Sequence, residues 1–310
     1  MMRAIQVHKV GGPNVLQLVS NVPIPKATGT KVVVHVKAAG INPVDTYVRE
    51  GAFGYTPTLP YTPGKDGAGI VEAVGEEVRD LKKGDRVFFS NRRRENTFGS
   101  YAQYSVVDIS DTWPLPERLT FQQGAALGIP YLTAYRALVL KANAQEGETV
   151  LVHGASGSVG IAALQIAKFL VKAKVVGTAG TPEGVELVKK LGADCAVCHK
   201  DRDYFIKIME WTKDKGVDVV VEMLANVNLA KDLGLLCRNG RVMAKQKTTE
   251  HLALEGRVLD EPRNKCCAAV GTMMKREAQM TRKVLQLQWN KTRVSTTSHY
   301  AQKKASGENK

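Results

Sequence analysis

Val150-Leu151-Val152-His153-Gly154-Ala155-Ser156-Gly157-Ser158-Val159-Gly160 decides how the second half of this chain reads. A short apolar run that stops at a turn signal has the pattern of a buried strand. It feeds a glycine-rich turn, and the turn opens an apolar, alanine-rich helix expected over 161–170. Small residues let the backbone approach phosphate groups, while free amides and the helix dipole stabilise the negative charge. The glycines stand at 154, 157 and 160, so the spacing is not G-x-G-x-x-G. Taken alone, the turn suits a nucleotide site or a tight structural bend equally well. Its surroundings decide for the nucleotide.

Those surroundings alternate between strands and helices. Strands are expected over 149–153, 174–178, 195–198 and 217–221, with a fifth beginning at Arg241-Val242-Met243. Thr181-Pro182-Glu183 reads as an N-cap, a proline at the first helical position and an acid in the first turn, with Gly192 closing the helix. The alternation predicts an α/β fold, a doubly wound parallel sheet with helices on both faces. Residues 1–115 differ: they are rich in Val, Gly and Pro, with strands expected over 31–37, 69–74 and 85–89. That half is expected to be mostly β, and 122–140 helical. The domains are then 1–120, 121–244 and a divergent basic tail, 245–310, without strand alternation and expected to be poorly ordered.

Composition narrows the function classes. No run of about 18 apolar residues suggests a membrane span. The first residues read as a strand rather than a signal peptide. Five cysteines without a disulfide framework fit reduced thiols and a cytoplasmic location. The net charge of +14 would suit an acidic partner. However, residues 245–310 hold 14 Lys and Arg against 6 Asp and Glu, so +8 of that charge lies there. A moderately basic enzyme with a very basic tail describes the chain better.

Cofactor choice is read at the end of the second strand of this sheet. A site for NAD places Asp or Glu there to hold the ribose 2′-hydroxyl. Here Val176-Gly177-Thr178-Ala179-Gly180 offers no carboxylate, and His199-Lys200 follow the next strand. A cationic pair suits a 2′-phosphate, which favours NADP(H) over NAD(H). The alternative is that His199 and Lys200 are solvated loop residues. Cys195-Ala196-Val197-Cys198-His199 has the haem-attachment spacing, but residues three apart on a strand point to opposite faces, so no metal or disulfide role follows. Arg92-Arg93-Arg94 reads as a solvated charge run.

Thr62-Pro63-Gly64-Lys65-Asp66-Gly67-Ala68-Gly69-Ile70-Val71-Glu72-Ala73-Val74-Gly75, followed by Gly84-Asp85-Arg86-Val87, resembles the N-terminal domain of medium-chain dehydrogenases/reductases. Ile41-Asn42-Pro43-Val44-Asp45-Thr46-Tyr47, Gly128-Ile129-Pro130-Tyr131-Leu132-Thr133-Ala134-Tyr135-Arg136, the glycine turn and Glu222-Met223-Leu224-Ala225-Asn226-Val227-Asn228-Leu229 resemble its zeta-crystallin-type quinone reductases. The resemblance covers roughly 2–243. It implies a GroES-like catalytic domain, a Rossmann domain incomplete at its C-terminal side, NADPH as cofactor and a quinone as acceptor. It also implies a missing zinc. Zinc-dependent members carry a cysteine where this chain has Asn42, and Gly-His-Glu where it has Gly64-Lys65-Asp66.

By the same resemblance, Tyr47 and Asn42 flank the nicotinamide and acceptor pocket, and Ser156, Gly157, Ser158 and Val159 contact the diphosphate. Gly180, His199 and Lys200 surround the adenosine ribose and its phosphate, and Asn228 lies along the cofactor cleft. The plain alternatives are a packing aromatic for Tyr47 and a helix cap for Asn228. Ser158 stands where the family has another glycine. After Val242 the family pattern is lost, which implies weakened activity or an inactive shortened relative. The resemblance also carries a link to AU-rich RNA, which the basic surplus would serve, and a homo-oligomeric state that the altered tail puts in doubt.

Overall fold

The computed structural model describes residues 1–55, 57–92 and 97–244. The expected tail over 245–310, the completeness of the sheet beyond it, Cys266-Cys267, Arg93 and Arg94 lie outside the described residues. The chain divides into two compact units, Met1–Leu132 and one beginning at Thr133.

In the first unit, β1 (Met2–Gln6) pairs antiparallel with β2 (Gln17–Val22). Strands β3 (Lys31–Gly40), β4 (Asp66–Val74), β5 (Arg86–Ser90), β6 (Tyr104–Asp108) and β7 (Thr112–Pro114) form an antiparallel sheet in the order β6-β3-β4-β5-β7. Val32, Val34, Val71, Val87, Phe89 and Val107 bury together on it. Each such aliphatic side chain contributes about 1.5–3 kcal/mol by leaving water. Between β3 and β4 lies α1 (Pro43–Glu50), where Pro43 pre-sets the first turn. Asp45 Oδ2 accepts the Asn42 amide at 2.8 Å, and Gly51 closes the helix at φ 67.

The helical stretch expected over 122–140 is broken. Thr120 and Gln123 box the start of α2 (Phe121–Ala125), which packs on β3, β4 and β5. A second helix, α3 (Gly128–Tyr135), restarts there and widens into a π-helical turn over Arg136–Lys141. The break has a physical cause. The Ile129 amide donates to Asp66 Oδ2 at 2.8 Å, and a Cβ on residue 128 would lie 2.1 Å from Asp66 Oδ1. The helix is seated directly on a buried carboxyl.

The second unit alternates as expected: β8 (Thr149–Val152), α4 (Ser158–Gln165), β9 (Lys174–Ala179), α5 (Pro182–Lys190), β10 (Cys195–Cys198), α6 (Tyr204–Thr212), β11 (Val217–Glu222), α7 (Ala225–Leu235) and β12 (Leu236–Ala244). The five strands pair parallel in the order β10-β9-β8-β11-β12. Both faces are covered, so Val150, Leu151, Val152, Val175, Val176, Val219 and Val220 are all buried instead of alternating. The Thr181 hydroxyl accepts the Gly184 amide, as the capping sequence predicts. Two boundaries move. α4 begins at Ser158, before the expected 161, because Gly157 is its extended N-cap. β12 begins at Leu236, before Arg241; its pairing with β11 shifts register and Asn239 sits at φ 65, so the polar Arg238-Asn239-Gly240 reads locally as a turn.

The charge run also needs correcting at Arg92. Its guanidinium donates to the buried Asp111 (Nε–Oδ1 2.7 Å) and lies over the Trp113 ring at 6.0 Å, so this member of the run is not merely solvated.

Candidate functional site

Strand order in the second sheet reverses between β8 and β11, and open α/β sheets take their ligands at the carboxyl ends of strands flanking such a reversal. The glycine turn stands at that end of β8. Gly154 adopts φ 58, which a side chain would resist. Its amide donates to Thr178 Oγ1 at 3.2 Å, the Ala155 amide to Thr178 O at 2.7 Å and the Gly157 amide to Gly154 O at 2.9 Å. The first two bonds lash the turn to β9, and the third closes it on itself. The amides of Ser156, Ser158 and Val159 take no part in them, and those of the first turn of α4 have no intrahelical acceptor. A Cβ on residue 160 would lie 2.2 Å from Gly154 O, so the third glycine permits helix and turn to touch. Ser158 is exposed at the first helical position.

The other expected cofactor residues gather at the end of β9. A Cβ on Gly180 would meet His199 Nε2 at 3.0 Å and Lys200 Cε at 3.7 Å. Ser156 Oγ and Thr181 Oγ1 lie 3.2 and 3.3 Å from the Cβ position of Gly184. Burial, followed by the charges of His153 and Lys200, holds the His199 imidazole below its ordinary range. Asn228 is not a cap, because Leu224 occupies that position. Its Nδ2 lies 3.3 Å from both carboxyl oxygens of Glu222.

Behind these residues lies a polar network that sequence reading missed. His153 Nε2 is 2.9 Å from Asp232 Oδ1 and 3.7 Å from Glu222 Oε2. His153 Nδ1 faces Thr178 Oγ1 at 3.3 Å, and the same oxygen faces His199 Nδ1 at 3.2 Å. His153 is 3 % exposed, and Thr178, Glu222 and Asp232 are fully buried. Burial pushes the Glu222 carboxyl up, against the opposing pull of His153 and the Leu224 amide. The one local signal was Asn228 and Asp232, four residues apart on one helix face.

In the N-terminal unit, Asn42 is buried and donates through Nδ2 to Asp66 Oδ2 at 2.8 Å. Ser90 Oγ donates to Asp66 Oδ1 at 2.7 Å. Burial pushes the Asp66 carboxyl up to about 6 despite these donors. Asp45 accepts from the Lys65 amide at 3.1 Å and from Tyr101 OH at 3.2 Å, and burial raises its carboxyl too. Tyr47 is half-buried and packs edge-on to Phe53, with centroids 5.0 Å apart. Beside this cluster Tyr55, Tyr61, Pro63, Lys65 and Asn91 line a pocket of about 70 Å³. Burial likewise raises the Tyr61 hydroxyl to about 12. Asn42 and Tyr47 thus share α1 and its cap with a carboxylate cluster, while the remaining expected site residues lie in the second unit.

Among the described residues His153, Glu222 and Asp232 bring one polar atom each within 4.8 Å of one another, the shortest approach being 2.9 Å between His153 Nε2 and Asp232 Oδ1. Cys195, Cys198 and Cys237 are free thiols.

Comparison with known proteins follows the same division. Residues 28–117 match the alcohol dehydrogenase GroES-like domain, and residues 158–286 match the zinc-binding dehydrogenase family. The second match runs beyond residue 243, where the motif resemblance ended. Human quinone oxidoreductase is 49% identical over 243 residues, spanning 78% of this chain and 72% of the relative. The mouse quinone oxidoreductase is 52% identical over 245 residues, with the same shares. The crystal structure of Escherichia coli quinone oxidoreductase complexed with NADPH superposes with a TM-score of 0.68 at 34% identity, covering 77% of this chain and 72% of that one.

Proposed function

Because the chain belongs to the quinone oxidoreductases of the medium-chain dehydrogenase/reductase superfamily, we propose that it reduces quinones with NADPH and without zinc. The observation that carries this reading is the turn after β8. Gly154 and Gly160 bring its backbone close, and the amides of Ser156, Ser158 and Val159 carry none of the bonds that tie the turn down. In this reading those amides hold the diphosphate, with Gly157 giving the backbone room. His199 and Lys200, beside the bare Gly180, take the ribose phosphate. Asn228 borders the cofactor while bracing Glu222. Tyr47 and Asn42 keep the acceptor-side role that the resemblance implies.

When bound, NADPH supplies the reducing electrons, and the protein's work is to orient cofactor and acceptor. Zinc does not fit the residues present. Asn42 and Lys65 provide neither thiolate nor imidazole, and Asn42 and Asp66 are already bonded to each other at 2.8 Å. A quinone is electrophilic enough to need no Lewis acid. No helix among the described residues is long and apolar enough to cross a membrane.

Purified protein, NADPH and a small ortho-quinone test the proposal. Turnover is expected, together with a higher melting midpoint in NADPH than in buffer. Absence of both overturns it. The end of the quinone-reductase motif resemblance near residue 243 carries the further expectation that turnover falls below that of a full-length relative. RNA binding rests on the net charge of +14, and homo-oligomerisation on the family. A mobility shift with AU-rich RNA at two salt concentrations checks the first. Sedimentation checks the second.

A further inference from the structure

We propose that Glu222, Asp232 and His153 act through the Thr178 hydroxyl to fix which nitrogen of His199 carries its proton, and so make the site prefer a phosphorylated adenosine ribose. The inference rests on the NADPH reading of the same turn and assigns it four positioning residues.

The logic is a count of hydrogens. A threonine hydroxyl has one hydrogen to give and two lone pairs to receive. The Gly154 amide uses one lone pair of Thr178 Oγ1 at 3.2 Å. Two imidazole nitrogens compete for the rest, His153 Nδ1 at 3.3 Å and His199 Nδ1 at 3.2 Å. If His153 is protonated on both nitrogens, its Nδ1–H donates to Oγ1 and fills the second lone pair. The hydroxyl hydrogen then goes to His199 Nδ1, which places the His199 proton on Nε2. If His153 is protonated on Nε2 alone, the hydroxyl turns to His153. His199 must then donate from Nδ1, and its Nε2 is left bare.

Those two outcomes face the ribose end of the site differently. His199 Nε2 stands 3.0 Å from the Cβ position of Gly180, where an NAD-type site carries a carboxylate. Protonated, Nε2 donates to a phosphate oxygen. Bare, it accepts from a ribose hydroxyl and repels a phosphate. Because burial and neighbouring charge keep His199 below the ordinary imidazole range, the neutral tautomers decide the matter.

Charge balance selects the first arrangement. Two buried carboxylates beside a neutral imidazole would leave two negative charges uncompensated, which a protein interior does not tolerate. Burial favours the neutral form of Glu222. An Asp232 carboxylate and a doubly protonated His153 would then sum to zero across a 2.9 Å contact. Among the described residues, the other titratable groups facing the cluster are Tyr204 on α6, its ring 6.4 Å from His153, and His199 itself, with Lys200 beside it. Burial and the two carboxyls raise Tyr204 to about 12, so it adds no charge.

The test compares the whole chain with its Asp232→Asn and Thr178→Val variants. Calorimetric binding of 2′,5′-ADP and of 5′-AMP gives the preference, and nitrogen-15 spectra of the imidazoles give the tautomers. The wild type is expected to favour 2′,5′-ADP and to show His199 protonated on Nε2. Asp232→Asn should lower that preference roughly tenfold, the scale of one hydrogen bond to a charged group. The loss should fall on 2′,5′-ADP alone, with His199 moving to the Nδ1–H form. Thr178→Val should lose the preference as well, and adding Asp232→Asn to it should change nothing further. If His199 keeps Nε2–H in Asp232→Asn, or if both ligands weaken equally, the relay is wrong while the NADPH reading stands. A wild type that binds both ligands equally overturns both.

Discussion

Asp66 at the start of β4, Glu222 at the end of β11 and Asp232 on α7 are all buried carboxyl groups, yet Asp66 and Asp232 are partnered very differently. Asp66 receives three donors, from Asn42, Ser90 and the Ile129 amide, each at 2.7 to 2.8 Å. Asp232 has one oxygen against His153 and another, Oδ2, with no hydrogen-bond partner. A saturated carboxyl is a fixture: it pins α1, β5 and α3 to β4, and nothing in it can move without orphaning a donor. A carboxyl with a spare oxygen, a second carboxyl and a histidine can redistribute protons at small cost. Burial alone leaves the two clusters alike; the count of committed partners separates them.

That contrast can be broken at several points. Gly128→Ala should be the most damaging change, since the new methyl would start 2.1 Å from Asp66 Oδ1. A loss of about 3 kcal/mol is expected from such overpacking, read by urea denaturation. Gly154→Ala, with nothing within 4 Å of its Cβ position, should lose only about 1–2 kcal/mol from its left-handed backbone.

Asp66→Asn follows, because an amide NH₂ must now face one of three donors; about 1–3 kcal/mol is expected at neutral pH. This penalty should depend on pH. The carboxyl is raised to about 6 when folded and lies at 3.8 otherwise, so the folded chain holds the proton more tightly. Its contribution is full below 3.8 and is lost as pH rises through 6. The stability difference between wild type and Asp66→Asn should therefore grow on acidification across that window, by up to about 3 kcal/mol. Subtracting the variant removes the parallel contribution of Asp45. A flat difference would mean that the three donors keep Asp66 ionised throughout.

Asp232→Asn should be milder, about 1 kcal/mol in the same denaturation experiment, since the 2.9 Å contact survives as a neutral hydrogen bond once His153 gives up its second proton. A larger loss for Asp232→Asn than for Asp66→Asn would invert the comparison. The smallest effect belongs to Ser158→Gly, which restores the family residue at an exposed helix start. About 0.5–1 kcal/mol of stability should be lost to backbone freedom, with NADPH affinity unchanged in a fluorescence titration.

Much of the second unit was legible because its signals are local. The run Val150-Leu151-Val152, the cap at Thr181-Pro182-Glu183 and the glycines of the turn each settle a structure within a few residues. β12 was half-hidden because its first residues are irregular and polar. The restart of α3 was hidden because its cause, Asp66, is 63 residues away from Ile129. The same holds for the site. Gly180, His199 and Lys200 were visible through strand ends, whereas His153 and Thr178 had no pattern to mark them and Asp232 only its spacing from Asn228.

By itself the sequence determined the α/β rhythm, the glycine turn after β8 and the missing carboxylate at Gly180, all properties of neighbouring residues. Only the tertiary structure decided that Asn42 is spoken for by Asp66, and that Thr178 stands between two histidines with a carboxyl pair behind them. Hydrogen bonds across 24 to 79 residues of chain depend on how strands are ordered in a sheet, and that order leaves no trace in local composition.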